Sequence, residues 1–159
     1  MSYISARAGF LAFAMVVTVG VSAAAQVQGD AMHVPAAELR AKVAKTTDGS
    51  ATAPVPTGPG ATVLAAHRDK TGQVEVHMKL NDELIVQAGH ASILVGGRVE
   101  GNKETAPGEW RGGTIVGGKS YDMSPGDVIW IPAGMPHQLV VPAGGSINYL
   151  AVKFDKAPG

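Results

Sequence analysis

Cysteine is absent from the 159 residues, which excludes disulfide staples, thiolate zinc and iron–sulfur sites, a Cys nucleophile and a lipid-modified N-terminal Cys. Any metal must therefore sit on His, Asp or Glu. Charge of one sign is also lacking: 13 Lys and Arg stand against 13 Asp and Glu. Without a basic surplus to neutralise phosphates, nucleic acid is not an expected partner. After residue 25 no apolar run is long enough to span a bilayer, so the mature chain is expected to make no stable membrane insertion.

The one long apolar run opens the chain. Arg7 is the only charge before Asp30, Gly9 to Val21 is apolar, and Ser22-Ala23-Ala24-Ala25 then supplies small residues ahead of Gln26. This reads as a secretory signal peptide, residues 1–25, cut after Ala25 and directing the protein to the periplasm or the exterior. The competing reading is an uncleaved anchor, because Ala8 to Ala25 is uncharged. A spanning helix takes ~20 strongly apolar residues, and this run ends in Ser and Ala. What remains is one domain, large enough to bury about two thirds of its unfolded surface without disulfides.

Residues 26–60 are expected to hold a short helix and an extended arm. Pro35 to Lys45 reads as the helix, with Pro35 suited to its first turn and Leu39 and Val43 four apart on one face. Thr46 to Gly60 collects Pro54, Pro56, Pro59, Gly49, Gly58 and Gly60, a composition for neither a helix interior nor a central strand. From 61 to 155 the texture changes to short β-rich runs broken by Gly, Pro, Asn and Asp. The expected strands are Thr62 to Ala66, Gln73 to Leu80, Glu83 to Ala88, Ala91 to Val95, Gly113 to Val116, Lys119 to Met123, Asp127 to Ile131, His137 to Val141 and Ser146 to Lys153. The fold class is all-β, and so many short antiparallel strands favour a jelly roll.

In the strand from Gln73, Glu75 and His77 share one face by period-two geometry. Polar side chains turned to water explain such a face as well as two ligands aimed at one metal. The segment Gly126-Asp-Val-Ile-Trp-Ile-Pro132-Ala-Gly134-Met-Pro-His137 makes the difference. Pro125-Gly126-Asp127 is a turn, Val128 to Ile131 is expected as a buried strand with Trp130 in the core, and Pro132-Ala133-Gly134 is a second turn that delivers His137 to the next strand. This resembles the second conserved motif of the cupin superfamily, with Val141 standing where the pattern has Asn. A degraded first motif lies upstream: Glu75-Val76-His77, Asp82 and the closing Gly89 keep its spacing, with Asp69 at the opening Gly position, Glu75 for the first His and Asp82 for the Glu.

The resemblance, to small single-domain bacterial cupins of the type-2-like kind, covers Thr62 to Lys153. It implies a double-stranded β-helix and a metal set of Glu75, His77, Asp82 and His137, with Glu83 as the carboxylate competing with Asp82. Two imidazoles with one or two carboxylates suit Fe(II), Mn(II), Zn(II) or Ni(II). The extra carboxylate makes the set harder than three imidazoles, which favours Lewis-acid over oxygen chemistry. The implied function is an exported cupin that uses one divalent metal on a small oxygen-rich organic molecule, as an isomerase, lyase, decarboxylase or dioxygenase. The alternative is a metal-free cupin that binds a small molecule or serves a structural role. Small cupins commonly pair, so a homodimer is expected, with Val74, Val76 and Met78 as a candidate interface.

Two motif-like runs are set aside. Gly113-Thr-Ile-Val-Gly-Gly-Lys119-Ser120 satisfies the phosphate-loop expression, but no helix can follow it, since Pro125 comes too soon. It is expected to form a Gly-rich hairpin, and Gly96 to Gly101 a turn. His33 and His90 are expected at the surface, His67 within reach of the barrel mouth, and Tyr149 as a core side chain, pocket wall or proton donor.

Overall fold

The computed structural model describes residues 30–157, so the expected leader, 1–25, lies outside the described residues. Helix α1 (Ala36–Lys42) starts behind Pro35, whose φ of −61° suits a helix entry. Its apolar stripe lands on the barrel: Val43 is buried with Ala53 and Ala65, and Leu39 packs against them.

Thirteen strands follow: β1 (Ser50–Val55), β2 (Ala61–Arg68), β3 (Glu75–His77), β4 (Leu80–Gly89), β5 (Ala91–Val95), β6 (Arg98–Glu100), β7 (Lys103–Ala106), β8 (Glu109–Arg111), β9 (Thr114–Val116), β10 (Lys119–Met123), β11 (Val128–Ile131), β12 (His137–Val140) and β13 (Ile147–Asp155). One sheet has the order β1-β2-β13-β4-β11 and the other β10-β5-β12-β3-β8-β7, while β6 and β9 form a two-stranded ribbon. The pairings β13 with β2 and β4, β11 with β4 and β12 with β5 are antiparallel and join strands distant in sequence. Such long-range pairing is the jelly-roll arrangement. Ile93, Ile131, Ile147, Val86, Leu139 and Tyr149 are among the side chains of the core.

The Pro-rich arm is more than a linker. Ser50 to Val55 adds β1 to the rim of the five-stranded sheet, pairing with β2 alone, an edge position where Pro54 is tolerated. Closing Gly89 has a φ of +77°, and a Cβ there would run into the Ser146 carbonyl oxygen, so only glycine lets β4 pass β13 so closely.

Several local expectations are corrected. Trp130 is 51% exposed, stacked at a tilt near Phe154, and Val128 is 55% exposed, so β11 is not a buried strand. β11 is the last strand of its sheet and turns Val128 and Trp130 outward while Ile131 enters the core. Val74 and Val76 are buried within the chain itself, and only Met78 of the expected interface is exposed. Gly117-Gly118 joins β9 and β10, which lie in different sheets, so that loop is neither a hairpin nor a helix start. Gly96-Gly97 forms a bend, but Arg98 to Glu100 continues as β6.

Candidate metal centre

Strand register, more than any loop, assembles the site. β3 lies between β12 and β8, which sets Glu75 opposite His137 on one side and opposite Arg111 on the other, and His77 opposite Glu109. Directly opposed residues share a sheet face. In the other sheet, β13 sets Lys153 opposite Asp82 of β4. The two groups meet across the barrel, where Asp82 Oδ2 lies 3.3 Å from His77 Nε2 and 3.7 Å from His137 Nε2.

Glu75, His77 and His137 each offer a ligand atom, all within 4.8 Å of one another. Both imidazoles are buried and fixed from behind. His77 Nδ1–H donates to Glu109 Oε2 at 2.6 Å, and His137 Nδ1–H donates to the Met135 carbonyl oxygen at 3.2 Å. A bond that holds Nδ1–H leaves Nε2 as the atom turned to the centre.

Asp82 stands in the same cluster, but both its oxygens are held by the Lys153 ammonium, at 2.7 and 2.6 Å. The same Nζ lies 3.1 Å from His77 Nε2. Glu83 pairs with Trp130, whose side chain faces outward, so it shares the outer face. Sequence reasoning missed Lys153, Glu109, Arg111 and Arg68. Arg68 Nη2 donates to Glu75 Oε1 at 3.3 Å and its Nε to the Tyr149 hydroxyl at 3.2 Å. Arg111 Nη2 lies 2.9 Å from Glu109 Oε2 and 3.6 Å from Glu75 Oε2.

This crowding sets the proton affinities. Burial alone would raise the Glu75 carboxyl, but its bond to His77 and the charges of Arg111, His137 and Arg68 hold it down to about 2. Burial opposes charge on His77 as well, yet the Asp82 and Glu75 carboxylates lift it to about 9 against the repulsion of Lys153. Asp82 is lowered, since His77 and Lys153 outweigh its burial. His137 is lowered by burial, which exceeds the pull of Glu75 and the Met135 carbonyl. Burial raises the Tyr149 hydroxyl against the neighbouring Arg68. While His77 carries both protons, Nε2–H donates to the carboxylates and Lys153 is held by Asp82. Once that proton leaves, Nε2 accepts from Lys153.

A cavity of about 90 Å³ adjoins the cluster, lined among others by Arg68, Glu75, Asp82, His137, Tyr149 and Lys153. Arg68 and Glu75 also line an open cleft of about 380 Å³ at its mouth, with Arg111 and Thr47. The other histidines stand apart from it. His67 Nδ1–H donates to Asn148 Oδ1 at 2.9 Å, His90 lies 3.3 Å from the Ser124 hydroxyl, and His33 is exposed.

Comparison with known proteins agrees with this architecture. Residues 114–157 match the family described as AraC-like ligand binding domain. A conserved Klebsiella pneumoniae subsp. pneumoniae protein with a double-stranded β-helix domain superposes with a TM-score of 0.55 at 15% identity, over 76% of this chain and 90% of that one. The barrel is a double-stranded β-helix. The protein TT1209 of Thermus thermophilus superposes with a TM-score of 0.55 at 16% identity, over 74% of this chain and 93% of that one. A conserved Streptococcus pyogenes protein, SPY1581, does so with a TM-score of 0.53 at 17% identity, over 82% and 95%. At these identities the likeness is one of fold. No curated protein matches the chain.

Proposed function

We propose that this chain is an exported single-domain cupin that holds one divalent transition metal on Glu75, His77 and His137 and acts on a small oxygen-rich organic molecule in the adjoining cavity. The observation that carries the reading is the pair of buried imidazoles, each with Nδ1–H anchored and Nε2 directed at a carboxylate within 4.8 Å. Two His and one carboxylate form a set that suits Fe(II), Mn(II), Zn(II) or Ni(II), and burial keeps competing water out.

When bound, such an ion acts as a Lewis acid that polarises a carbonyl or stabilises an enolate. The chain's own groups supply the rest. Asp82 and Lys153 form a hydrogen-bonded acid–base pair beside the cavity, within reach of a proton on a bound molecule. Arg68 and Tyr149, hydrogen-bonded to each other, line the cavity from the same sheet. Isomerisation, elimination and decarboxylation all begin from this arrangement, whereas dioxygen insertion would in addition require a redox-active ion such as Fe(II).

Elemental analysis of the protein, purified without chelator or metal-affinity resin, tests the reading. About one equivalent of a single transition metal, lost in His77→Ala, is the expected result. Less than a tenth of an equivalent, unchanged after incubation with Fe(II), Mn(II), Ni(II) and Zn(II), overturns it. The second reading, a metal-free binding cupin, is favoured by one observation: the Lys153 ammonium already lies against His77 Nε2.

A further inference from the structure

The charged side chains around the cluster are balanced. Arg68, Arg111 and Lys153 face Glu75, Glu109 and Asp82, each cation within 3.3 Å of a carboxylate oxygen. Ligating imidazoles are neutral. A divalent ion added to this set therefore leaves the pocket with two uncompensated positive charges in a half-closed, poorly solvated space. Unpaired charge in such surroundings is costly, and the cost is removed by a counter-charge of matching size.

Glu75 cannot supply that counter-charge, because as a metal ligand it shares its charge with the ion and loosens its hold on the guanidiniums. Arg68 is the group so released. Its side chain is 19% exposed and borders both the inner cavity and the mouth cleft. Its hydrogen bonds among the described residues use Nε and Nη2, and none uses Nη1. Nη1 lies over Gly72, where a Cβ would stand 3.2 Å away, so the missing side chain is what gives the guanidinium its room. A planar guanidinium with a free edge is matched in shape and charge to a carboxylate. The inner cavity, about 90 Å³, is smaller than the ~150 Å³ that holds benzene, so the end of a ligand fits inside and the remainder lies in the cleft.

We propose that the molecule taken by the metal-loaded barrel is a small organic dianion of the hydroxy- or oxo-dicarboxylate class, with one carboxylate held by Arg68 at the mouth. This rests on the metal reading above and adds the substrate class. Two negative charges restore neutrality, and adjacent oxygens at one end of the molecule suit a metal with open positions. A neutral polyol of equal size satisfies the oxygen chemistry but leaves both charges unbalanced.

Calorimetric titration of the zinc-loaded protein with L-malate and with erythritol tests the proposal, zinc content being measured on the same samples. Malate is expected to bind at least ten-fold tighter to the zinc-loaded than to the metal-free protein, and erythritol to show no saturable binding at the same concentrations. Arg68→Gln is expected to weaken malate at least ten-fold with zinc content unchanged, and Arg68→Lys to lose less. Thermal melts of both variants confirm that they are folded. Erythritol binding as tightly as malate, or malate binding unchanged in a folded, zinc-replete Arg68→Gln, overturns the inference and leaves the metal reading intact. Failure to take up zinc overturns the metal reading instead. The anion is then judged on the metal-free protein, where equal malate affinity in wild type and Arg68→Gln overturns its assignment to Arg68.

Discussion

Lys153 Nζ lies 3.1 Å from His77 Nε2 while holding both oxygens of Asp82 at 2.6 and 2.7 Å, so the protein's own ammonium stands beside the atom that a metal would claim. Two cations cannot share that nitrogen. At ~4 Å and an effective dielectric of ~20 the repulsion between unit charges is about 4 kcal/mol, which the Asp82 carboxylate partly offsets. Lys153→Met is therefore expected to tighten divalent-metal binding by at least ten-fold, as read by competition with a chromogenic chelator, and to free Asp82 as a further ligand. The metal-free variant should lose about 3 kcal/mol of stability, because a buried carboxylate is left without its partner. Unchanged metal affinity in the folded variant sinks the idea that Lys153 competes with the ion.

Glu109 tests the support behind the ligands. Its Oε2 accepts the Nδ1–H of His77 at 2.6 Å, fixing the ring and making the opposite nitrogen more basic. Loss of such an outer partner costs roughly 10- to 100-fold in metal affinity. Glu109→Gln is expected to fall in that range while keeping near one equivalent at saturating metal. A variant that binds as tightly as wild type shows that the His77 ring is positioned by packing alone.

Half of this site was legible in the chain and half was not, for a physical reason. Alternation puts Glu75 and His77 on one face and a turn delivers His137 to its strand, but the ligand set, Asp82 included, comes only from the spacing of the cupin-like motifs. Lys153 belongs to Ile147-Asn148-Tyr149-Leu150-Ala151-Val152-Lys153, where apart from Asn148 and Lys153 itself both alternating faces are apolar, because one packs in the barrel and the other under α1 and β1. With no polar face to set the phase, the inward turn of Lys153 is hidden. Its register opposite Asp82 appears only with the pairing of β13 and β4. Glu109 and Arg111 lie on the three-residue β8, too short to show a period. The same ambiguity of phase explains Trp130, which sits in the apolar run Val128-Ile129-Trp130-Ile131 yet faces out.

That outward turn carries its own prediction. Ile131 is 1% exposed and Trp130 51% exposed, although they are neighbours on β11. Truncating a fully buried Ile costs ~2–5 kcal/mol through lost burial and a cavity. Trp130, half exposed, leaves no core cavity when truncated, and its tilted contact with Phe154 is worth about 1 kcal/mol. Denaturant unfolding of Ile131→Ala and Trp130→Ala should reproduce this order, and acrylamide should quench Trp130 readily in the native state. A larger loss for Trp130→Ala places the indole against something other than solvent.

The proton affinities of the cluster predict how the metal-free protein responds to pH. His77 is lifted from 6.5 to about 9, so its contribution to stability is complete below about 6.5 and is lost as pH rises through about 9. Glu75, lowered to about 2, contributes fully above about 4.5 and loses that contribution as pH falls through about 2. His137 is lowered by burial, so its contribution is complete above about 6.5 and declines as pH falls below that. Between pH 7 and 9 only His77 changes among these three. The melting temperature of metal-stripped wild type should therefore fall across that interval, and the fall should vanish in His77→Gln. Because a metal must displace the same proton, metal affinity should rise over the interval by up to about ten-fold per pH unit in wild type. An alkaline loss of equal size in His77→Gln assigns the titration to another group, and a metal affinity independent of pH over the same range removes His77 from the ligand set.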